Sequence, residues 1–200
     1  MFSGIIRTLG TVEEIQKSEE GISLTISSKL FQDPEVRIGD SICTNGVCLT
    51  IAELTGHGAK FFIVNESLRR SNLSVLDIGS SVHLEPSLRV GDKIDGHFVY
   101  GHVDARAEIM QITKDGEAYR FSLSVSPETL LFLAPKGSVA LNGVSLTIGE
   151  LEKDSFSVYI VPHTYKETLF SKYQQSDKLN LEIDPLARYV VNYFSHKDKE

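Results

Sequence analysis

The chain has 200 residues, 41% of them hydrophobic and 24% charged, with a net charge of −7. That length holds one large domain or two small ones; the acidic balance, with no basic stripe and no base-stacking aromatic motif, argues against nucleic acid as a partner. No apolar run approaches the ~20 residues that cross a bilayer, MFSGIIRTLG lacks the pattern of a secretory leader, and the two cysteines, Cys43 and Cys48, make no disulfide framework.

In chain order, GIIRTLGTVEEI, GISLTISS, SICT, VCLTIAEL, KFFIVN and SVHLE are short, β-branched or alternating, and bounded by turn residues, which predicts six strands between Gly4 and Glu85. Helical turns are expected near SKLFQ and SPETLLFL. PSLRVGDKIDGH, with Pro86, Gly91 and Gly96, reads as a connection. His97, His102 and Asp104 follow in DGHFVYGHVD, but no second ligand cluster completes a metal site, so no metal is expected. At the end, Asp184-Pro185 starts a helix, and Leu186, Val190, Val191 and Phe194 recur at helical spacing. Such a stripe needs a cover, from its own barrel or from the same helix of other copies.

The organising feature is a repeat. NGVCLTIAEL (Asn45 to Leu54) and NGVSLTIGEL (Asn142 to Leu151) match at eight of ten positions, with an offset of 142 − 45 = 97. Without gaps, the same offset sets Gly4 on Gly101, Ser41 on Ser138, Ile63-Val64 on Ile160-Val161 and Leu84-Glu85 on Leu181-Glu182. A period near a hundred residues is a duplicated domain rather than a solenoid. Six short strands per copy suggest a small closed antiparallel barrel. The expected organisation is residues 1–97 with a linker over 86–97, residues 98–183, and a tail helix over 184–200.

Asn-Gly between alternating strands is the signature of a two-residue hairpin turn. It pairs Thr44 with Val47, Cys43 with Cys48 and Ser41 with Thr50. Val47, Leu49 and Ile51 then share one face, and Ser41, Cys43, Cys48 and Thr50 the other. The second copy repeats the patch with Ser138, Ala140, Ser145 and Thr147. These side chains either line a solvated face or offer uncharged donors and acceptors to a planar heterocycle; the duplication favours the second reading. Between copies Cys48 becomes Ser145, Ile5 becomes His102 and Gly39 becomes Lys136, so two similar pockets carry unequal reactive groups.

MFSGII, SICTNGVCLT, GHFVYGHVD, KGSVALNGVSLT and LNLEIDPLARYV together resemble riboflavin synthase of the α-subunit type over essentially the whole chain. The resemblance implies an all-β fold of two tandem six-stranded Greek-key barrels plus a C-terminal helix that builds a homotrimer. It implies a cytoplasmic transferase with neither metal nor redox cofactor, and association with lumazine synthase. The reaction implied is dismutation of two 6,7-dimethyl-8-ribityllumazine molecules: a four-carbon unit passes between them, giving riboflavin and a ribitylamino-pyrimidinedione. A first pocket would use Gly4, Ile5, Ile6, Cys48, Leu49, Thr50, Phe62, Ile63, Val64, Asn65, Glu66 and Ser67. A second would use Gly101, His102, Val103, Lys136, Ser145, Leu146, Thr147, Tyr159, Ile160, Val161, Pro162, His163 and Thr164. Cys48, His102, Ser41, Ser145 and Asp184 are the expected catalytic residues, with Phe2, Thr50 and Thr147 also at positions implicated in the family; Asp184 has a competing role as helix cap. Lumazine-carrying antenna proteins of luminous bacteria are the alternative. They share the fold, hold one ligand and catalyse nothing.

Overall fold

Asn45 and Gly46 take left-handed backbone, φ +46° and +80°, and Asn142 and Gly143 repeat those angles. Positive φ at both central residues is the hairpin turn whose twist matches its strands. It sets the predicted register: Thr44 faces Val47, Cys43 faces Cys48 and Ser41 faces Thr50, with Ser145 opposite Ala140 and Thr147 opposite Ser138. The computed structural model describes residues 1–197.

Around these hairpins two closed barrels form. The first comprises β1 (Thr8–Lys17), β2 (Gly21–Ser27), β3 (Ser41–Thr44), β4 (Val47–Leu54), β5 (Gly58–Val64) and β6 (Ser81–Pro86). The second comprises β7 (Ala105–Asp115), β8 (Ala118–Ser124), β9 (Ser138–Leu141), β10 (Val144–Leu151), β11 (Ser155–Ile160) and β12 (Lys178–Ile183). The first is ordered β1-β2-β5-β4-β3-β6, so β6 returns beside β3 after the β3-β4-β5 meander, a Greek key. Short helices α1 (Asn65–Arg70), α2 (Pro127–Leu130) and α3 (Pro162–Glu167) decorate the barrels, and α4 (Pro185–Lys197) is the tail. Leu24, Ile26, Ile51, Phe61 and Leu84 fill one interior; Phe121, Leu123, Ile148, Val158 and Leu181 fill the other.

One expectation is corrected. The strand predicted from Gly4 begins at Thr8, because the preceding backbone spends its donors on a side chain: the Glu85 carboxylate accepts from Ser3 N and Oγ, both at 2.8 Å, and from Gly4 N at 3.0 Å. Residues 1–7 therefore form an arm. Its repeat is the arm before β7, where Glu182 accepts from Tyr100 N (2.6 Å), Gly101 N (2.8 Å) and His102 N (3.1 Å). The short helical turn expected near SPETLLFL is Pro127–Leu130.

The barrels meet across a pseudo-two-fold axis. Phe2 and Val99 form an antiparallel bridge; Phe2, Cys43, Val99 and Ala140 bury together in the seam; and a Cβ on Gly46 would lie 2.8 Å from Gly143 N. Beside the axis runs a polar network. Asn180 donates to Asn45 O at 2.7 Å and accepts from Asn72 N at 2.6 Å. Its repeat position holds His83, whose Nδ1 lies 2.9 Å from Asn142 O and whose Nε2 accepts from Leu169 N at 2.8 Å. A neutral imidazole thus does the work of an amide.

Burial lowers the His83 pKa to about 4. The unfolded chain takes up this proton from about pH 6.5, the native one only near 4, so stability falls as pH drops through that window, by about 3 kcal/mol at full extent. The variant His83→Asn, copying the second barrel's solution, should lose this acid sensitivity. Urea midpoints of the two proteins measured between pH 7 and 4 check it: the wild type should fall relative to the variant, and parallel curves would show that His83 is not held neutral.

Candidate functional site

The polar patch lies on the outer barrel surface, because alternation turns Val47, Leu49 and Ile51 into the core. Cys48 and Ser41 are half-buried and Thr50 is exposed; Ser138 and Ser145 are half-buried and Thr147 is exposed. Cys43, on the same face, disappears into the seam at 1% exposure. Burial, with Glu85 and Glu182 nearby, pushes its thiol well up, so it stays protonated and inert.

On the neighbouring strand, Phe62 and Val64 stand out at 46% and 49% exposure, and their repeats Tyr159 and Val161 at 37% and 54%. Each barrel thus presents exposed apolar side chains beside hydroxyl or thiol groups. Exposed apolar patches of this kind mark binding surfaces. Leu49, Ile63, Leu146 and Ile160 are core residues, so they can offer a ligand only backbone.

The third wall overturns the predicted grouping. Gly4, Ile5 and Ile6 do not join Cys48. Gly4 O accepts from Ser145 N at 2.8 Å, a Cβ on Gly4 would lie 2.6 Å from Ser145 Cβ, and Ile6 packs on the second core. Reciprocally, Gly101 O accepts from Cys48 N at 2.9 Å, and Val103 packs on the first core. The arms cross. The first trough therefore combines Cys48, Thr50, Phe62 and Val64 with Gly101, His102 and Val103. The second combines Ser145, Thr147, Tyr159 and Val161 with Gly4, Ile5 and Ile6. Cys48 and His102, expected in separate pockets, flank one trough.

Other expected residues spread around the rims. Asn65 donates to Glu19 O at 2.8 Å, Glu66 is clamped by Arg69 and Arg70, and Ser67 O accepts from Ser71. Pro162 and His163 are exposed on α3, with Thr164 half-buried. Lys136 takes φ +67° where its repeat is Gly39 at +92°, a conformation that costs a side-chain-bearing residue roughly 1 kcal/mol. His102 stacks on Tyr100 with ring centroids 6.0 Å apart. Asp104 binds Arg188 and Ile183 N instead of joining the histidines. Asp184 Oδ1 accepts from Leu186 N at 3.0 Å, the cap of α4. Phe2, at 0% exposure, is a seam residue with no surface for a ligand. One contact was not foreseen: His97 Nδ1 lies 2.7 Å from Ser145 Oγ. Its sequence signal was only its nearness to Gly101 and His102.

A lumazine-binding domain model matches residues 3–87 and again 100–184. Riboflavin synthase of Brucella abortus is 41% identical over 197 residues, 96% of each chain, and that of Bacillus subtilis 38% over 201 residues, 100% of this chain and 92% of the other. The chain belongs to the riboflavin synthase family. A fission-yeast member, from Schizosaccharomyces pombe, is 34% identical over 192 residues. The fold also matches LumP complexed with riboflavin, with TM-score 0.84 at 20% identity over 92% of this chain and 99% of that one.

The difference between the two thiols is directly measurable. In the native protein iodoacetamide should label Cys48 and leave Cys43 untouched until denaturant is added, with peptide mass mapping as the readout. Labelling of both at similar rates would contradict the buried seam.

Proposed function

We propose that the chain is a riboflavin synthase transferase that passes a four-carbon unit between two molecules of 6,7-dimethyl-8-ribityllumazine. What supports this reading is that each barrel presents exposed apolar side chains beside polar ones but with different reactive groups: Cys48 near the His102 arm on one, Ser145 with His97 on the other. A carrier needs one such trough. A dismutation needs two, holding like molecules in unlike environments. Residues 1–97 and 98–183 are the two lumazine-binding units in this reading, each completed by the other's arm.

The 7-methyl group of the lumazine is acidic because its anion delocalises into the ring, so a base need only be close and oriented; His102 is the candidate at the first trough. Attack at C7 of the partner ring activates it, with Cys48, Ser41 or water as the nucleophile. Holding two rings face to face supplies much of the rate through proximity. Asp184, fixed as a cap, contributes charge rather than contact.

Both troughs face outward, so two rings can stack only if another chain brings its trough to this one. The tail supports that assembly. Leu186, Tyr189, Val190, Tyr193 and Phe194 are 55–73% exposed on α4, and copies of the same helix are the proposed cover, in a homotrimer. A cytoplasmic location and contact with lumazine synthase belong to the same reading. Among the described residues no helix is long and apolar enough to cross a membrane.

Purified protein mixed with the lumazine should develop riboflavin absorbance, and a non-reactive lumazine analogue should titrate to two sites per chain; one site and no riboflavin would favour the carrier. Cys48→Ser should lower kcat by about tenfold or more while analogue affinity changes little. Unchanged turnover would remove Cys48 from the chemistry. Removing residues 185–200 should convert a trimeric mass in light scattering to a monomeric one and suppress turnover; a full-length monomer with full activity would refute the shared site.

A further inference from the structure

Among the described residues His97 is the one imidazole that touches a predicted catalytic hydroxyl, and its setting is built rather than incidental. The backbone at 96–99 runs antiparallel to the N-terminal arm: His97 N donates to Ser3 O at 3.2 Å, and Phe2 and Val99 exchange hydrogen bonds at 2.7 and 3.1 Å. Gly96 lets this strand press close, since a Cβ there would lie 2.1 Å from Ser3 O and 2.8 Å from both Ser145 Cβ and Oγ. The result is a 2.7 Å contact between His97 Nδ1 and Ser145 Oγ. In the first trough the Cys48 thiol has no hydrogen-bond partner among the described residues, so the pairing distinguishes the two sites.

The imidazole's other nitrogen tells which way the proton points. Among the described residues Nε2 is buried without a partner. An unpaired buried N–H costs more than an unpaired lone pair, so the proton sits on Nδ1 and Nε2 is bare. Burial lowers the His97 pKa, with Asp184 opposing, which agrees with a neutral ring. Nδ1–H then donates to Ser145 Oγ and leaves the hydroxyl proton free to turn outward.

We infer that His97 is a positioning residue for the four-carbon transfer: it fixes the Ser145 hydroxyl as a donor aimed into the second trough, at an acceptor atom of the bound heterocycle. The inference rests on the proposed function in one respect, that a lumazine ring lies beside Ser145. A hydroxyl otherwise rotates among three staggered positions. Locked, it meets the ring at no further ordering cost, and its bond strengthens as negative charge builds on the heterocycle. The effect therefore falls mainly on kcat rather than on KM.

The test is a double-mutant cycle with a matched amide pair. His97→Ala should lower kcat by about tenfold or more with KM changed less than about threefold, and Ser145→Ala with His97→Ala should be no slower than Ser145→Ala alone. His97→Asn, whose amide N–H falls near the Nδ1 position, should recover most of the rate. His97→Gln, whose amide falls near Nε2, should not; this pair also decides the matter if the alanine variant fails to fold. Losses that multiply, a Gln variant as active as the Asn variant, or an unchanged kcat in His97→Ala would each overturn the inference. Nitrogen-15 NMR of the histidine rings supplies a readout independent of turnover. His97 should carry its proton on Nδ1, and that resonance should move in Ser145→Ala; a bare Nδ1 would overturn the inference even in an active enzyme. A protein that made no riboflavin would sink the functional reading while the NMR result still judged the contact.

Discussion

Two buried carboxylates organise this molecule. Glu85 and Glu182, at 2% and 3% exposure, each collect three donors from the arm that precedes their own barrel. Burial pushes both carboxyls up, Glu182 to about 7, against arm donors that pull them down. Backbone N–H groups facing a carboxylate cannot join a strand. The arms consequently leave their own sheets and lie on the other barrel, Gly4 against Ser145 and Gly101 against Cys48. Each trough then needs both copies, because the wall that completes it is contributed by the other barrel's arm.

The interface is isologous in the manner of a two-fold dimer, yet one chain writes both halves, and this frees the halves to differ. The seam shows how much difference the frame tolerates. His83 and Asn180 occupy equivalent positions and make equivalent bonds, to Asn142 O and Leu169 N in one case and to Asn45 O and Asn72 N in the other. The hydrogen-bond pattern is held while the residue type drifts. At the troughs the drift has chemical content, since thiol and hydroxyl differ in nucleophilicity and in how they are held.

The repeat was legible because the offset of 97 never slips between the copies, and the hairpin register because Asn-Gly admits few geometries. Strand faces followed from alternation, so the outward patch of Cys48, Thr50, Ser145 and Thr147 was readable residue by residue. The crossing of the arms was not. A self-alignment equates Gly4 with Gly101 whether each stays on its own barrel or crosses, since both arrangements keep the same offset. For the same reason the sequence alone sets His102 apart from Cys48 and assigns His97 to neither pocket. Nor does a strand pattern at residues 4–7 reveal that a glutamate some eighty positions away will claim the backbone donors.

The location of the troughs follows from barrel size. Six strands enclose a space that Leu24, Ile26, Ile51 and Phe61 fill completely in one barrel, and Phe121, Leu123, Ile148 and Phe156 in the other. A barrel this narrow has no room for a ligand inside, so the proposed heterocycle sites lie on the outer wall, where one face of a ring would stay uncovered. Phe62, Val64, Tyr159 and Val161 are the outward residues on that wall, and their exposure in the isolated chain is a cost unless something flat lies on them. Two rings bound to two outer walls can be pressed together only by bringing walls from different chains face to face. The exposed apolar stripe of α4 is the surface on which the proposed assembly rests. If the ligand sits outside the barrel as proposed, assembly becomes part of the chemistry, since a lone chain would hold both rings with nothing to stack one upon the other.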